Sequence, residues 1–200
     1  MWLDNLLEEP LVYRLKTRLL SFGRRNVRDF LREFPSPPGH ERVLDVGCGI
    51  GGHADAFATA TLYVGIDENA GYVKYASARH GRRFVAMNAT RIAFADGTFD
   101  LVFAAGLFHH LSDDQARAAA REMTRVTKET GATLIIDAVL PVLWNVPGRL
   151  LCRLDRGRHV RTVASLAALL ANDGFQLHLG NIQGSFPYQR AVFLRCPCRP

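Results

Sequence analysis

The stretch VLDVGCGIGG, residues 43–52, places a carboxylate inside an apolar run and then turns on alternating glycines. Val43, Leu44 and Val46 are typical of a buried strand, yet Asp45 lies among them. Burial of a carboxylate is costly unless a cation or a hydrogen-bond donor meets it. We therefore predict that Asp45 is placed for a ligand, with an acid that caps its own tight turn as the structural alternative.

The composition is that of one globular domain. The chain has 200 residues, of which 48% are hydrophobic and 22% charged, and this length is enough to bury a core. No apolar run approaches the ~18 residues of a membrane span. The N-terminus MWLDNLLEEP carries acids where a secretory signal carries basic residues. We predict a cytoplasmic protein without a transmembrane segment.

Net charge and cysteine spacing point to no particular partner. The charge of +6 would attract an anion, but arginines on solvated helix faces explain it as well, so it is weak evidence for nucleic acid. The cysteines lack the paired C-x-x-C spacing of zinc sites and disulfide frameworks, so we predict no metal centre. They are Cys48, Cys152, Cys196 and Cys198.

The first 37 residues differ in pattern from the rest. Apolar residues recur at helical spacing through residues 3–34, with arginines on the other face, and PSPPG at 35–39 ends the segment. We expect cap helices over 1–37 and a main domain over 38–200, together in one compact unit.

From Arg42 onward, short β-rich runs alternate with helical stretches. Strands separated by helices of this length need crossover connections, which predict a mostly parallel sheet with helices on both faces. One helix is predicted over 113–129, with Ser112 as its N-cap and Gly131 just beyond its end. The predicted strands are RVLDVG, LYVGID, RFVAMN, FDLVFAAG, ATLIIDAVL, FQLHLG and RAVFLRC, and the other predicted helices are HADAFATA, NAGYVKYASARH and a segment from near Thr162.

Two ligand-binding patterns coincide in the glycine loop. The spacing G-x-G-x-x-G, with Asp67 twenty residues after its first glycine, is typical of dinucleotide-binding enzymes. The spacing D-x-G-x-G-x-G begins instead at Asp45. Asp45 would repel a diphosphate, whereas it would attract the ammonium group of S-adenosylmethionine (SAM). The charge of the ligand therefore favours the second pattern over a nicotinamide enzyme.

With these motifs in this order, the sequence resembles the class I SAM-dependent methyltransferases of the small-molecule type, from about Glu41 to Pro141. VLDVGCGIGG resembles the family's glycine loop, GIDEN at 65–69 the end of its second strand, and residues 87–111 its third and fourth strands. The resemblance implies a Rossmann-like α/β fold, with a seven-stranded, mostly parallel sheet, an antiparallel last strand and an N-terminal helical cap. It also implies SAM as cofactor and S-adenosyl-L-homocysteine as product.

The resemblance assigns a set of cofactor-binding residues. Asp67 is expected to accept hydrogen bonds from the two ribose hydroxyls. Asn88 stands where the family more often has an acid, and its amide oxygen is expected to accept from the adenine amino group. The turn from Ala105 to Leu107 is expected to approach the methionine portion. The full set is Asp45, Gly47, Cys48, Gly49, Gly51, Asp67, Glu68, Asn88, Ala89, Thr90, Ala105, Gly106 and Leu107.

Two histidines after the fourth strand are the candidate catalytic residues. We expect His109 to face the substrate, where it could act as a general base or only hydrogen-bond to backbone, whereas a structural role is favoured for His110. Because the sulfonium methyl is already activated, positioning in a dry cavity can supply most of the rate without any base.

Substrate specificity is expected to come from the variable segments around the pocket. The dense basic run Arg149, Arg153, Arg156, Arg158, His159 and Arg161 indicates either a carboxylate or phosphate on the substrate or a solvated basic helix face. The candidate substrate residues are Tyr13, Trp144, Arg153, Arg158, His159 and Tyr188.

The leading hypothesis is methyl transfer from SAM to an oxygen, nitrogen or carbon atom of a small metabolite. The alternatives are an RNA-directed methyltransferase, which would show steep salt dependence, and a noncatalytic SAM-binding protein. Association of residues 3–34 with a membrane surface is a further alternative, and the acids in that segment argue against it.

Overall fold

The computed structural model describes residues 41–154, 158–179 and 189–195. The segment for which cap helices are predicted, 1–37, lies outside these ranges. So do two of the candidate substrate residues, Tyr13 and Tyr188.

One seven-stranded sheet organises the described residues. Its strands are β1 (Arg42–Val46), β2 (Leu62–Asp67), β3 (Arg83–Ala86), β4 (Phe99–Ala105), β5 (Thr127–Val139), β6 (Gln176–Leu179) and β7 (Gln189–Arg195). The helices are α1 (Ala70–His80), α2 (Asp113–Val126), α3 (Val146–Leu154) and α4 (Val163–Leu170), with 3₁₀ turns at Ala54–Phe57, Phe108–His110 and Ala171–Asp173. None of these helices is both long and apolar enough to cross a bilayer.

The strand order is β3-β2-β1-β4-β5-β7-β6. Strands β1 to β5 pair in parallel, whereas β7 runs antiparallel to both β5 and β6. The predicted seven-stranded, mostly parallel sheet with an antiparallel last strand is therefore confirmed. Because β1, β2, β4 and β5 are parallel, the loops that follow them meet at one edge of the sheet.

Two apolar layers bury the sheet, one on each face. On one face, Leu44 and Val46 of β1 belong to a cluster with the buried sides of α2 and α4. On the other face, Val43 clusters with Phe57 of the first 3₁₀ turn and with buried residues of α1. Residue alternation along β1 places Asp45 on this second face, on the same side as Val43. The helices cover both faces, as the sequence predicts.

Two predicted helices are shorter than expected. HADAFATA forms only the 3₁₀ turn Ala54–Phe57. Helix α2 begins after Ser112, which forms a capping box with Gln115, but it ends at Val126 rather than at 129. It ends early because the Thr127 hydroxyl donates to the carbonyl of Met123 at 2.7 Å and Thr127 itself begins β5, where it pairs with Phe99.

Close packing at Gly65 generates a stability prediction. A Cβ atom at Gly65 would lie 2.5 Å from the Phe84 ring and 2.9 Å from Cys48 Sγ, whereas one at Gly52 would meet nothing within 4 Å. We expect Gly65→Ala to lower the free energy of unfolding by about 2 kcal/mol, because the ring and the loop must move. Gly52→Ala, the matched control, should leave it unchanged or raise it by up to about 1 kcal/mol. Equal effects in chemical denaturation would contradict this packing.

Candidate cofactor and active site

The glycine loop after β1 separates the two patterns that coincide in the sequence. Gly47, Gly49 and Gly51 all adopt positive φ, of 73°, 54° and 78°, which side chains other than glycine rarely adopt. Gly52 has open space where its side chain would be. The third glycine of a dinucleotide fingerprint serves close helix–strand packing, and no described residue lies within 4 Å of a Cβ atom built at Gly52. The local geometry thus requires the glycines of D-x-G-x-G-x-G.

Asp67, at the end of β2, holds the glycine loop in place. Its Oδ2 accepts from the backbone N–H of Gly49 and its Oδ1 from the backbone N–H of Asn69, both at 2.8 Å. Burial raises the pKa of Asp67, and these two N–H donors oppose that shift. A carboxylate oxygen can accept more than one hydrogen bond, so Asp67 retains acceptor capacity for hydroxyl groups.

Asp45 is buried, with 1% of its surface exposed, and is only half satisfied. Its Oδ2 accepts from the Tyr63 hydroxyl at 2.7 Å. Its Oδ1 is buried with no hydrogen-bond partner among the described residues. Burial raises the pKa of Asp45 to about 7, the Tyr63 hydrogen bond lowers it, and the nearby Asp67 carboxylate raises it further. A cationic donor at Oδ1 would satisfy this oxygen and favour the ionised form.

Cys48 is a packing residue of the loop. Its side chain is buried, and burial raises the pKa of its thiol, with Asp45 and Asp67 adding to the shift. A thiol held in the neutral form is a poor nucleophile. Its Sγ packs against the backbone at Gly65.

The turn after β3 differs from expectation in one contact. Asn88 Oδ1 accepts from both the backbone N–H and the hydroxyl of Thr90, at 2.7 Å each. In the free protein these two donors thus engage the oxygen that is expected to accept a hydrogen bond from the adenine amino group. The Asn88 amide nitrogen could donate to a ring nitrogen of adenine instead.

Glu68, after β2, is exposed at the same edge of the sheet.

A buried histidine–carboxylate pair lies at the ends of β4 and β5. His109 Nδ1 lies 2.5 Å from Asp137 Oδ1, and the His109 backbone N–H donates to Asp137 Oδ2 at 3.1 Å. His109 is 8% exposed and Asp137 1% exposed. Donation from Nδ1–H to the carboxylate leaves Nε2 as the basic ring nitrogen. His110 is exposed, and its ring centroid lies 4.1 Å from that of His109.

Contacts connect this pair to the glycine loop. A Cβ atom at Gly47 would lie 3.0 Å from Leu107 Cδ1, so the first loop glycine packs against the turn that follows β4. A Cβ atom at Gly106 would lie 3.7 Å from His109 Cε1, the ring atom next to Nε2. The structure therefore brings together the loops after β1 and β4 and the ring of His109.

Arg161 secures the turn that carries the two histidines. Its guanidinium donates to the carbonyls of Phe108 and Leu111 at 2.9 and 2.7 Å, and it pairs with Asp113 at 2.8 Å. These contacts engage Arg161 within the protein. Arg161, which belongs to the basic run but not to the candidate substrate set, is therefore a structural residue.

The other described candidate substrate residues lie around the end of β5. Trp144 is 77% exposed. Arg153 and Arg158 border one cavity, and the backbone N–H of His159 donates to the carbonyl of His109 at 3.0 Å.

Three residues of this site are absent from the sequence-based set: Tyr63, Asp137 and Arg161. Asp137 carried a signal, since it interrupts the apolar run LIIDAV just as Asp45 interrupts VLDV. No feature of the sequence distinguishes Tyr63 from an ordinary strand tyrosine or Arg161 from an ordinary basic loop residue.

The comparisons with known proteins identify the domain. Residues 43–131 match the family described as "Methyltransferase domain". The Bacillus subtilis methyltransferase YcgJ is 35% identical over 107 residues, which is 50% of this chain and 42% of that protein. The demethylmenaquinone methyltransferase of Renibacterium salmoninarum is 33% identical over 129 residues, 62% of this chain and 53% of that protein. The matches thus span about half the length of these curated relatives.

The fold is shared over a larger part of the chain. A SAM-dependent methyltransferase from Aquifex aeolicus superposes with a TM-score of 0.67 at 23% identity, over 89% of this chain and 92% of the other. The strand order, the loop geometry and the family match agree. Residues 43–131 therefore form a methyltransferase domain, in a chain that has the fold of SAM-dependent methyltransferases, and this similarity implies SAM as cofactor.

Proposed function

We propose that the chain transfers the methyl group of SAM to an oxygen, nitrogen or carbon atom of a small metabolite, with His109 as general base. The observation that carries the proposal is the His109–Asp137 pair, which lies beside Gly106 at the sheet edge where the glycine loop ends. The named acceptor of the Renibacterium relative, demethylmenaquinone, supports a small molecule over RNA.

The residues present fit the cofactor. The unpartnered Asp45 Oδ1 would accept from the SAM ammonium group, and Asp67 would accept from the ribose hydroxyls. Gly47, Gly49 and Gly51 would line the cofactor with backbone, together with Cys48. The turns Asn88–Thr90 and Ala105–Leu107 would flank its adenine and its methionine ends, with Glu68 beside the adenosine. Bound SAM supplies a sulfonium methyl group that is already activated for displacement.

His109 would remove a proton from the acceptor. With its Nδ1–H held by Asp137, its Nε2 would take a proton from a hydroxyl or an amine as the acceptor atom bonds to the methyl carbon, while the bond from that carbon to sulfur would break and release S-adenosylhomocysteine. Asp137 would then stabilise the imidazolium, as a buried carboxylate does when it orients a catalytic histidine. Because both side chains are buried, the proton stays out of bulk water.

The proposed ribose contact generates the first test. We expect Asp67→Ala to weaken S-adenosylhomocysteine binding by more than tenfold, or about 1.4 kcal/mol, since it removes two charge-assisted hydrogen bonds. Isothermal titration calorimetry measures the affinity. Asp114→Ala, at an exposed acid of α2, is the control. An Asp67→Ala affinity within about threefold of the wild type would show that the ribose assignment is wrong.

The general base is tested by turnover. Labelled SAM is offered with panels of hydroxyl, amine and carboxylate compounds, and S-adenosylhomocysteine formation is followed. We expect His109→Ala to lower kcat by about a hundredfold or more, with cofactor affinity unchanged. Asp137→Asn should lower kcat with cofactor affinity unchanged, because the imidazolium loses its anionic partner.

His178→Ala, at an exposed histidine of β6, is the matched control for these variants. A wild-type rate in His109→Ala would leave positioning as the whole source of catalysis. Cofactor binding without turnover of any acceptor would favour the noncatalytic alternative.

A further inference from the structure

A cavity of about 190 Å³ lies beyond the end of β5. Its lining residues are Leu140, Arg149, Cys152, Arg153, Arg158 and Val160, so three of the six are arginines. A larger cavity of about 370 Å³ borders Thr127, the first residue of β5, and thus lies at the opposite end of the strand. Of these two cavities, the smaller lies at the edge of the sheet where the proposed active site is found.

The three arginines bring positive charge to this cavity. Arg149 donates from Nη1 to the carbonyl of Pro141 at 2.9 Å, which fixes the guanidinium and leaves its other donors unused by that bond. No carboxylate among the described residues pairs with Arg149, Arg153 or Arg158. Arginines that converge on one cavity without a carboxylate partner in the described part of the chain, with Leu140 and Val160 in its wall, differ from arginines spread over a solvated helix face.

The backbone connects this cavity to His109. The Leu140 N–H donates to the carbonyl of Arg161 at 2.7 Å, which holds the segment 158–161 along the end of β5. In the same segment the His159 N–H donates to the carbonyl of His109 at 3.0 Å. Arg158 and Val160, which line the cavity, therefore flank the residue that is bonded to the proposed general base.

We propose that this cavity binds the anionic group, a carboxylate or a phosphate, of the methyl acceptor. The proposal rests on the proposed function and specifies its substrate class as an anionic small molecule. Arginine side chains match both anions because the guanidinium can donate two parallel hydrogen bonds. A volume below the ~300 Å³ of a typical whole-ligand pocket suits one charged group, with the rest of the acceptor directed toward His109.

Anion binding can be measured without any turnover. Cys152 lines the cavity and is half-buried, so its rate of alkylation by neutral N-ethylmaleimide, read on its own peptide by mass spectrometry, reports occupancy. We expect millimolar inorganic phosphate or malonate to slow this reaction several-fold and saturably, whereas chloride at equal ionic strength should not. A larger effect of phosphate than of malonate identifies a phosphate-bearing acceptor, and the reverse a carboxylate.

Matched variants locate the effect. The Arg153→Gln/Arg158→Gln variant should lose the protection, whereas Arg117→Gln/Arg121→Gln, the same charge change on exposed positions of α2, should retain it. Thermal melting and S-adenosylhomocysteine binding verify that both variants fold. The proposal is overturned if neither anion protects Cys152, if chloride protects equally, or if the Arg153→Gln/Arg158→Gln variant keeps the protection. Protection by an oligonucleotide alone, with steep salt dependence, would overturn it in favour of RNA.

Turnover separates this proposal from the proposed function. Anionic acceptors should be used in preference to their neutral amides, and the Arg153→Gln/Arg158→Gln variant should raise KM for them about tenfold with little change in kcat. Efficient turnover of a neutral acceptor, unchanged in that variant, would refute the anion site and leave the methyltransferase activity standing. Protection of Cys152 without turnover of any acceptor would support the anion site and refute the proposed methyltransferase activity.

Discussion

The half-satisfied carboxylate of Asp45 is the constraint on which the cofactor site depends. A buried acid with one oxygen on Tyr63 and the other without a partner is costly in the free protein, and the rise of its pKa to about 7 expresses that cost. A cation at the unpartnered oxygen removes much of the penalty, whereas a diphosphate adds to it. The same carboxylate thus accounts for the preference for a sulfonium amino acid over a dinucleotide.

Around this acid, the protein uses backbone and buried polar contacts to fix the proposed reacting groups. Asp67 ties the glycine loop to the end of β2, and Asp137 orients His109 at the end of β5. Arg161 joins the histidine turn to α2 and to the segment beside β5. Each of these residues lies at or next to the carboxyl edge of the sheet, so the proposed donor and acceptor sites form where the strands end.

The sheet and the glycine loop could be predicted from the sequence because their signals are local. Alternation of short apolar runs with helical stretches fixes a parallel sheet, and glycines at alternate positions report a backbone with positive φ. The sequence predicts the end of α2 at residue 129, but the helix ends at Val126. Thr127 instead pairs with Phe99, a residue distant in sequence. Local propensity contains no information about such a pairing.

The candidate site was predictable only in part, for the same reason. Asp45 and Asp67 could be predicted because each is an acid at or near the end of an apolar, strand-like run. The partners of His109 and Asp45, namely Asp137 and Tyr63, come from other strands and depend on sheet order and register. The engagement of Arg161 by the carbonyl of Phe108 is likewise a tertiary contact. Composition could not separate a structural arginine from three that line a cavity.

The role of Asp45 is tested most directly by counting protons when S-adenosylhomocysteine binds. With a pKa of about 7, roughly half of the Asp45 carboxyls are protonated at pH 7 in the free protein, and the ligand ammonium needs them ionised. Calorimetry in buffers of different ionisation enthalpy should then show release of less than one proton per bound ligand near pH 7. The release should approach one as pH falls below 7, where affinity weakens, and should vanish in Asp45→Asn. The same release from Asp45→Asn, or tight binding of NADH in place of S-adenosylhomocysteine, would contradict the account.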